Sequence, residues 1–270
     1  MSDEADKAAA PGQDTAGWRA RTRAWRAQRA LERQLAYQQA KLRKISGREQ
    51  QLIRGRTDRA RQVRAMLSGF RPIGDDARVL EVGSGAHGLI FFFGVRDGVG
   101  VDPLADHCRG LFPAWQDRAR TIAAAGEALP FPDASFDLVL CDNVVDHAAD
   151  PARIVEEMAR VLAPGGLLYF TVNVHHPLYH VAAVAHAGWQ SLRLPGEIGP
   201  FADHTVHLTP AAAARLFDSV PLRRLSHRTG VEEAKRKARD KPLRHAGDLL
   251  KRIFYKNAVF ELIAQRKPSG

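Results

Sequence analysis

Short apolar runs alternate with helix-like patterns through the middle of the chain. Asp150-Pro151 predicts the start of one helix, with the aspartate as N-cap and the proline at the first helical position. Pro164-Gly165-Gly166 predicts its end. The apolar runs are rich in strand-forming residues and lie at about residues 78–82, 98–101, 120–124, 136–141 and 167–174. This alternation indicates an α/β fold with a mainly parallel sheet and helices on both faces.

The alternation stops after the fifth run. Residues 175–205 gather histidines and prolines, and an insertion of that length between elements predicts a lid or a substrate-binding segment. Thr209-Pro210 then opens another helix, and residues 222–225 and 258–264 are the candidate last two strands. Residues 232–251, between those strands, are highly charged and are predicted to be helical.

The N-terminal region follows a different pattern. Residues 1–16 are small and polar, so they are predicted to be a disordered tail. Residues 17–70 contain no proline and many good helix formers, which predicts a basic helical extension with breaks at Gly47 and Gly55. The extension is expected to pack on the sheet through its last apolar positions, Val63, Met66 and Leu67.

Positive charge is concentrated in that extension. The chain has 270 residues and a formal net charge of +10, but residues 18–70 hold fifteen Lys and Arg against three acids, so the remainder sums to −2. Hydrophobic residues make up 45% of the chain, which allows a sizeable core. Two cysteines give no disulfide framework, which favours a reducing, cytoplasmic location. The acidic N-terminus does not resemble a signal peptide, and the absence of an apolar run of about 18 residues predicts no membrane span.

A glycine-rich turn follows the first predicted strand. Gly83, Gly85 and Gly88 match G-x-G-x-x-G, in which the first glycine permits a tight turn, the second lets a ligand approach the backbone and the third allows close packing. Asp102 lies 19 residues after Gly83, where nucleoside-binding α/β units carry a ribose-binding carboxylate. Glu81 suits a cationic ligand better than a pyrophosphate. S-adenosylmethionine, with its ammonium and sulfonium, therefore fits better than NAD; a turn with only a structural role is the alternative.

Three further stretches, taken with the glycine turn, carry a family resemblance. They are Glu127-Ala128-Leu129-Pro130-Phe131-Pro132-Asp133, Ser135-Phe136-Asp137-Leu138-Val139 and Arg160-Val161-Leu162-Ala163-Pro164-Gly165-Gly166. In this order they resemble the class I S-adenosylmethionine-dependent methyltransferases, in the broad group that includes the ubiquinone and menaquinone methyltransferases. The resemblance implies a Rossmann-like, doubly wound, mainly parallel seven-stranded sheet whose last two strands form a hairpin. It places a methyltransferase domain at residues 71–270, with the lid-like insertion inside it.

S-adenosyl-L-methionine is the cofactor that this resemblance implies. The residues expected to bind it follow the first, second and fourth strands or precede the fourth, and they are Glu81, Gly83, Ser84, Gly85, Gly88, Asp102, Pro103, Glu127, Ala128, Leu129, Asp142 and Asn143. Members of the family often have an acid at the position of Ala125. Adenine recognition is therefore expected to rely on backbone groups at residues 126–128.

The loop after the fourth predicted strand holds the candidate catalytic residue. His147 is the best base for an acceptor that must lose a proton, since imidazole exchanges a proton near neutral pH. The alternative is that Asp146 and His147 cap the next helix. His175, His176 and His180 follow the fifth strand, but no carboxylate or cysteine accompanies them at ligand spacing, so no metal is expected.

The sequence leaves three functions open. The first is a methyltransferase acting on a hydroxyl of a small-molecule or glycan-type acceptor. The second is an RNA methyltransferase that uses residues 18–70 as a binding arm, with Trp18 and Trp25 for stacking; the same arm could meet an anionic membrane surface instead. The third is a non-catalytic, cofactor-binding partner subunit. In each case the arm is expected to be dispensable for cofactor binding.

Overall fold

A seven-stranded sheet forms the centre of the described part of the protein. The computed structural model describes residues 45–178, 206–240 and 257–268, residue 255, and part of the stretch 32–43. The strands are β1 (Val79–Val82), β2 (Val99–Val101), β3 (Arg120–Ile122), β4 (Phe136–Asp142), β5 (Leu162–Val174), β6 (Leu222–Thr229) and β7 (Ala258–Arg266). Their order is β3-β2-β1-β4-β5-β7-β6. Strands β1 to β5 pair in parallel, whereas β7 is antiparallel to both β5 and β6, which confirms the predicted Rossmann-like fold.

Helices connect the strands and cover both faces of the sheet. The α-helices are α1 (Glu49–Ser68), α2 (Ala105–Leu111), α3 (Pro113–Gln116), α4 (Pro151–Val161), α5 (Pro210–Arg215) and α6 (Val231–Arg239). Two short 3-10 helices are η1 (Leu89–Phe92) and η2 (Val145–His147). The described residues between 32 and 45 are also helical. Within the described chain, no helix combines the length and apolar character needed to cross a membrane.

Burial explains why the central strands are so apolar. All four residues of β1 are buried, and β4 and β5 are buried along most of their length. Side chains such as Ile154 and Met158 of α4 fill one face of the sheet, while Val63 and Leu67 of α1 fill the other. A strand buried on both faces needs apolar side chains in both directions, so it reads as a continuous apolar run.

The junction between α4 and β5 differs from the prediction. Asp150 caps α4 as expected, because its Oδ1 accepts a hydrogen bond from the backbone N–H of Arg153 at 3.2 Å. However, the prediction that Pro164-Gly165-Gly166 ends the helix is wrong. The helix ends at Val161, and Leu162 already pairs with β4. A register shift between β4 and β5 accommodates the proline and glycines inside the strand.

Helix α1 is longer and more firmly held than the sequence predicts. The break at Gly47 is confirmed, since this residue has a φ of +78°, but α1 runs through Gly55 without interruption. Ala60, Val63 and Leu67 are fully buried, and this burial outweighs the cost of about 1 kcal/mol that a glycine imposes inside a helix. Arg64 then ties α1 to the domain through the carbonyls of residues 73, 93 and 94.

Several sequence-based expectations fall wholly or largely outside the described residues. They are the tail at residues 1–16, the tryptophans Trp18 and Trp25, residues 179–205 of the predicted lid, and residues 241–251 of the charged excursion. The described first part of that excursion is helical, as predicted, and forms α6.

Candidate cofactor site

The carboxyl ends of β1, β2 and β4 open into one cavity of about 1040 Å³. This is the edge at which doubly wound sheets bind ligands. The glycine turn, the loops after β2 and β4, and residues 125–127 contribute to its wall. Three residues from before the sheet, Gln34, Gln38 and Arg56, complete the lining.

The first two glycines of the turn have the conformations that the motif predicts. Gly83 has a φ of +76°, and a Cβ added there would lie 2.3 Å from a methyl group of Val144. Its N–H donates to the carbonyl of Val101 at 2.7 Å, which bends the chain across the end of β2. Gly85 has a φ of +46° and lines the cavity, with only Asp102 near its missing side chain, at 3.6 Å. A ligand can therefore approach the backbone at Gly85.

Glu81 stabilises the end of the glycine turn through hydrogen bonds to the residues that follow it. Its Oε1 accepts the N–H of Leu89 at 2.9 Å and its Oε2 accepts the N–H of Ile90 at 2.8 Å, so both oxygens cap η1. A Cβ at Gly88 would lie 2.3 Å from Glu81 Oε2, which shows that the third glycine makes room for this carboxylate. Burial raises the pKa of Glu81 to about 8, against the opposing effect of the two N–H donors. Glu81 and Ser84 also line the cavity, so their predicted contact with the cofactor stays a prediction.

Asp102 lies where the ribose is expected. It follows β2, and its oxygens accept the N–H groups of Gly85 at 2.9 Å and Leu104 at 2.8 Å. The carboxylate therefore fixes the glycine turn relative to β2 while forming part of the cavity wall. Burial raises the pKa of Asp102 above its ordinary value, and the two N–H groups oppose this rise. Pro103, beside it, lines the same wall.

The segment before β4 reaches the cavity through Ala125, Gly126 and Glu127. Oε1 of Glu127 accepts the N–H groups of residues 149 and 150, which joins this segment to the start of α4. Ala128 and Leu129 do not line the cavity, and their predicted contact with the cofactor stays a prediction. Leu129 is buried in the core and its N–H donates to Glu157 Oε2 at 2.9 Å.

The loop after β4 brings Asp142 and Asn143 to the cavity, and their contact with the cofactor stays a prediction. Asp142 Oδ1 accepts a hydrogen bond from the hydroxyl of Thr171 at 2.6 Å. Asn143 has a φ of +61°, and its Oδ1 accepts the N–H of Asn173 at 3.1 Å. Strand β5 thus holds the loop that borders the cavity.

His147 lies on η2 and lines the same cavity. Its Nδ1 is 3.3 Å from Nε2 of Gln34, and its Nε2 is 3.8 Å from Oδ1 of the fully buried Asp146. The side chain that caps α4 is Asp150. The choice between a base and a structural role for His147 stays a prediction.

His87 of the glycine turn also lines the cavity, whereas the described histidines that follow β5 do not. His175 and His207 are buried with ring centroids 5.2 Å apart, away from the cavity lining. Within the described part of the chain, no group of three or more His, Cys, Asp or Glu side chains is placed to hold a metal ion. Cys108 and Cys141 are both buried thiols.

Sequence reasoning missed the contribution of the N-terminal helical region. Gln34, Gln38 and Arg56 line the cavity, so the structure does not support an arm that is separate from the cofactor site. The sequence does contain a pattern that predicts this contribution, namely the helical spacing of Arg56, Ala60, Val63 and Leu67. This spacing places the arginine on the face of α1 that packs on the domain.

The fold and the site together define a nucleoside-binding, doubly wound α/β domain. The methyltransferase domain family matches residues 80–170. An uncharacterized methyltransferase of Mycobacterium sp. (strain JLS) is 35% identical over 135 residues, which are 48% of this chain and 44% of the relative. The chain thus spans less than half the length of this curated relative.

Solved structures show the same fold. The YcgJ protein from Bacillus subtilis superposes with a TM-score of 0.54 and 18% identity, over 76% of this chain and 98% of that one. A geranyl diphosphate methyltransferase in complex with GPP and sinefungin gives a TM-score of 0.54 and 16% identity, over 76% of each chain. These comparisons support a class I methyltransferase domain around residues 80–170, with S-adenosylmethionine as its cofactor.

Proposed function

We propose that this protein transfers a methyl group from S-adenosylmethionine to a hydroxyl of a small-molecule or glycan-type acceptor, with His147 as the base. The observation that carries the proposal is that His147 lines the same cavity as Asp102 and Asp142. Ligand cavities usually measure about 300–1000 Å³. A cavity of about 1040 Å³ therefore has room for the cofactor and for a small acceptor beside it.

Each part of the lining has a role in this reaction. Asp102 would accept hydrogen bonds from the ribose hydroxyls, and the backbone at Gly85 would allow the cofactor to lie against the turn. Residues 125–127 would border the adenine, and Asp142 the ammonium of the methionine part. When bound, S-adenosylmethionine supplies a methyl group already activated by its sulfonium, so the protein mainly positions the reactants and excludes water.

His147 would manage the acceptor proton. A hydroxyl oxygen that gains the methyl group must release its proton, and a neutral imidazole in the cavity can accept it. The buried carboxylate of Asp146, 3.8 Å from Nε2, would stabilise the imidazolium that results. The products are a methyl ether and S-adenosylhomocysteine, and the proton resides on His147 until water removes it.

The proposal is tested by following a labelled methyl group from S-adenosylmethionine into small-molecule, glycan, RNA and protein fractions of a cell extract. Once an acceptor fraction is found, His147→Ala should lower turnover by about 10²–10⁴-fold with cofactor affinity unchanged. His107→Ala is the matched control, because His107 is exposed on α2, away from the cavity. Turnover of His147→Ala within a few-fold of the wild type would contradict a base at this position.

The same assay separates the alternatives. Transfer into RNA would favour the RNA methyltransferase, whose proposed stacking residues lie outside the described part of the chain. Cofactor binding without transfer into any fraction would favour a non-catalytic partner subunit.

A further inference from the structure

We propose that Arg56 of α1 binds the carboxylate of the methionine part of S-adenosylmethionine, so that the N-terminal helical region completes the cofactor site. This inference depends on the cofactor but not on the methyl acceptor. It assigns a ligand contact to a residue that precedes the sheet and lies outside the glycine motif.

The charges of the cavity create the need for such a group. The carboxylates of Asp102, Glu127 and Asp142 line the cavity, beside Glu81, whose pKa is raised to about 8 by burial. They suit the ammonium and the sulfonium of the cofactor, but they repel its carboxylate. Among the described lining residues, Arg56 is the only lysine or arginine. Arg56 is therefore the residue whose positive charge would stabilise the carboxylate of the cofactor in this cavity.

The position of α1 places Arg56 at the methionine end of the cavity. Asp102 follows β2 and lies at the proposed ribose end of the cavity. Asp142 ends β4 and lies at the proposed methionine end. Nη2 of Arg59, one helical turn after Arg56, is 2.6 Å from the hydroxyl of Tyr169 and 3.9 Å from Asp142 Oδ1. Residues three apart share a helical face, so Arg56 also faces the β1–β4 end of the cavity. Its positive charge lowers the pKa of Glu81 in opposition to burial, which agrees with that position.

Arg56 is available for a ligand, unlike its neighbours on α1. Arg59 bonds Tyr169, and Arg64 donates to three carbonyl groups and pairs with Asp75. Within the described chain, Arg56 has no hydrogen bond and no carboxylate within 4 Å, although it is half-buried. A guanidinium offers two parallel N–H donors to a carboxylate, so the pair would be both strong and directional.

The test compares two ligands that differ only in the carboxylate. Isothermal titration calorimetry of the full chain is run with S-adenosylmethionine and with decarboxylated S-adenosylmethionine. For the wild type we expect tighter binding of the first ligand. For Arg56→Gln we expect S-adenosylmethionine to bind about tenfold to a hundredfold more weakly, as for the loss of a charged hydrogen-bonded contact. Binding of the decarboxylated ligand should stay within about twofold, since Arg56 has no partner on it.

Two further variants complete the test. Arg54→Gln removes an exposed arginine of the same helix that does not line the cavity, so it should leave both affinities unchanged. Arg56→Lys keeps the charge and should recover part of the lost affinity. Equal weakening of both ligands by Arg56→Gln, or no weakening of either, would overturn the inference. Failure of the wild type to bind S-adenosylmethionine would overturn the cofactor assignment as well, whereas failure to find an acceptor would leave this result standing.

Discussion

Asp102 offers the most direct test of how the cofactor is held. Each of its oxygens accepts one backbone N–H, from Gly85 at 2.9 Å and from Leu104 at 2.8 Å, which leaves further acceptor capacity towards the cavity. Asp102→Asn keeps the size of the side chain but removes its charge and one acceptor oxygen. A hydrogen bond to a charged group is worth about 1.5–3 kcal/mol, so S-adenosylmethionine should bind about tenfold to a hundredfold more weakly.

Calorimetric titration of wild type and variant measures this loss directly. Asp106→Asn is the control, because Asp106 is an exposed acid on α2 that does not line the cavity and whose carboxylate lies 3.5 Å from Arg109. Its affinity for the cofactor should equal that of the wild type. The expected loss presumes an intact glycine turn, so circular dichroism and thermal unfolding of the apo variant are compared first. An affinity within about twofold of the wild type, with the fold intact, would refute the assignment of Asp102 to the ribose.

Two further predictions concern the turn and the core around it. Gly83→Ala should destabilise the protein by about 1–3 kcal/mol in urea denaturation, because its Cβ would lie 2.3 Å from Val144 and the residue would keep a positive φ. Gly110→Ala is the control: a Cβ there would have no neighbour within 4 Å, so this variant should be as stable as the wild type or slightly more stable. Arg160→Leu should cost about 1.5–3 kcal/mol at pH 7, because Arg160 makes hydrogen bonds to both oxygens of the buried Glu157. Arg160 holds the folded-state pKa of Glu157 below its ordinary value of 4.5, so this cost should shrink as the pH falls below 4.5, and an unchanged difference at acid pH would contradict it.

Local patterns predicted most of the fold and the base of the site. The apolar runs predicted the positions of the strands, and the spacing of Gly83, Gly85 and Asp102 predicted which residues meet at the carboxyl edge. These features can be predicted from the sequence because each depends on residues that are close together in the chain. A positive φ favours glycine, and a strand buried on both faces is apolar throughout. The start of α4 at Asp150 was predictable for the same reason.

Features set by distant contacts were not predictable in this way. From the sequence, Glu81 is predicted to suit a cationic ligand. In the structure its oxygens accept the N–H groups of residues 89 and 90, which begin a 3-10 helix that the sequence did not predict. Gly55 does not break α1, because the burial of Val63 and Leu67 against the domain outweighs a local preference. The sequence places Arg56 in a basic helical extension, and only the packing of α1 brings it to the cavity.

The place of β7 in the sheet has a consequence for how the protein is made. β7 lies between β5 and β6, although it follows both in the sequence. During synthesis β5 therefore leaves the ribosome with one edge open, and that edge closes only when residues 258–266 emerge and pair with it. An open edge of a buried, apolar strand is a template for pairing with other chains, and contacts between residues far apart in sequence form slowly. Pairing of residues 258–266 with β5 is therefore a late step of folding, and translation speed before β7 becomes a factor in the yield of folded protein.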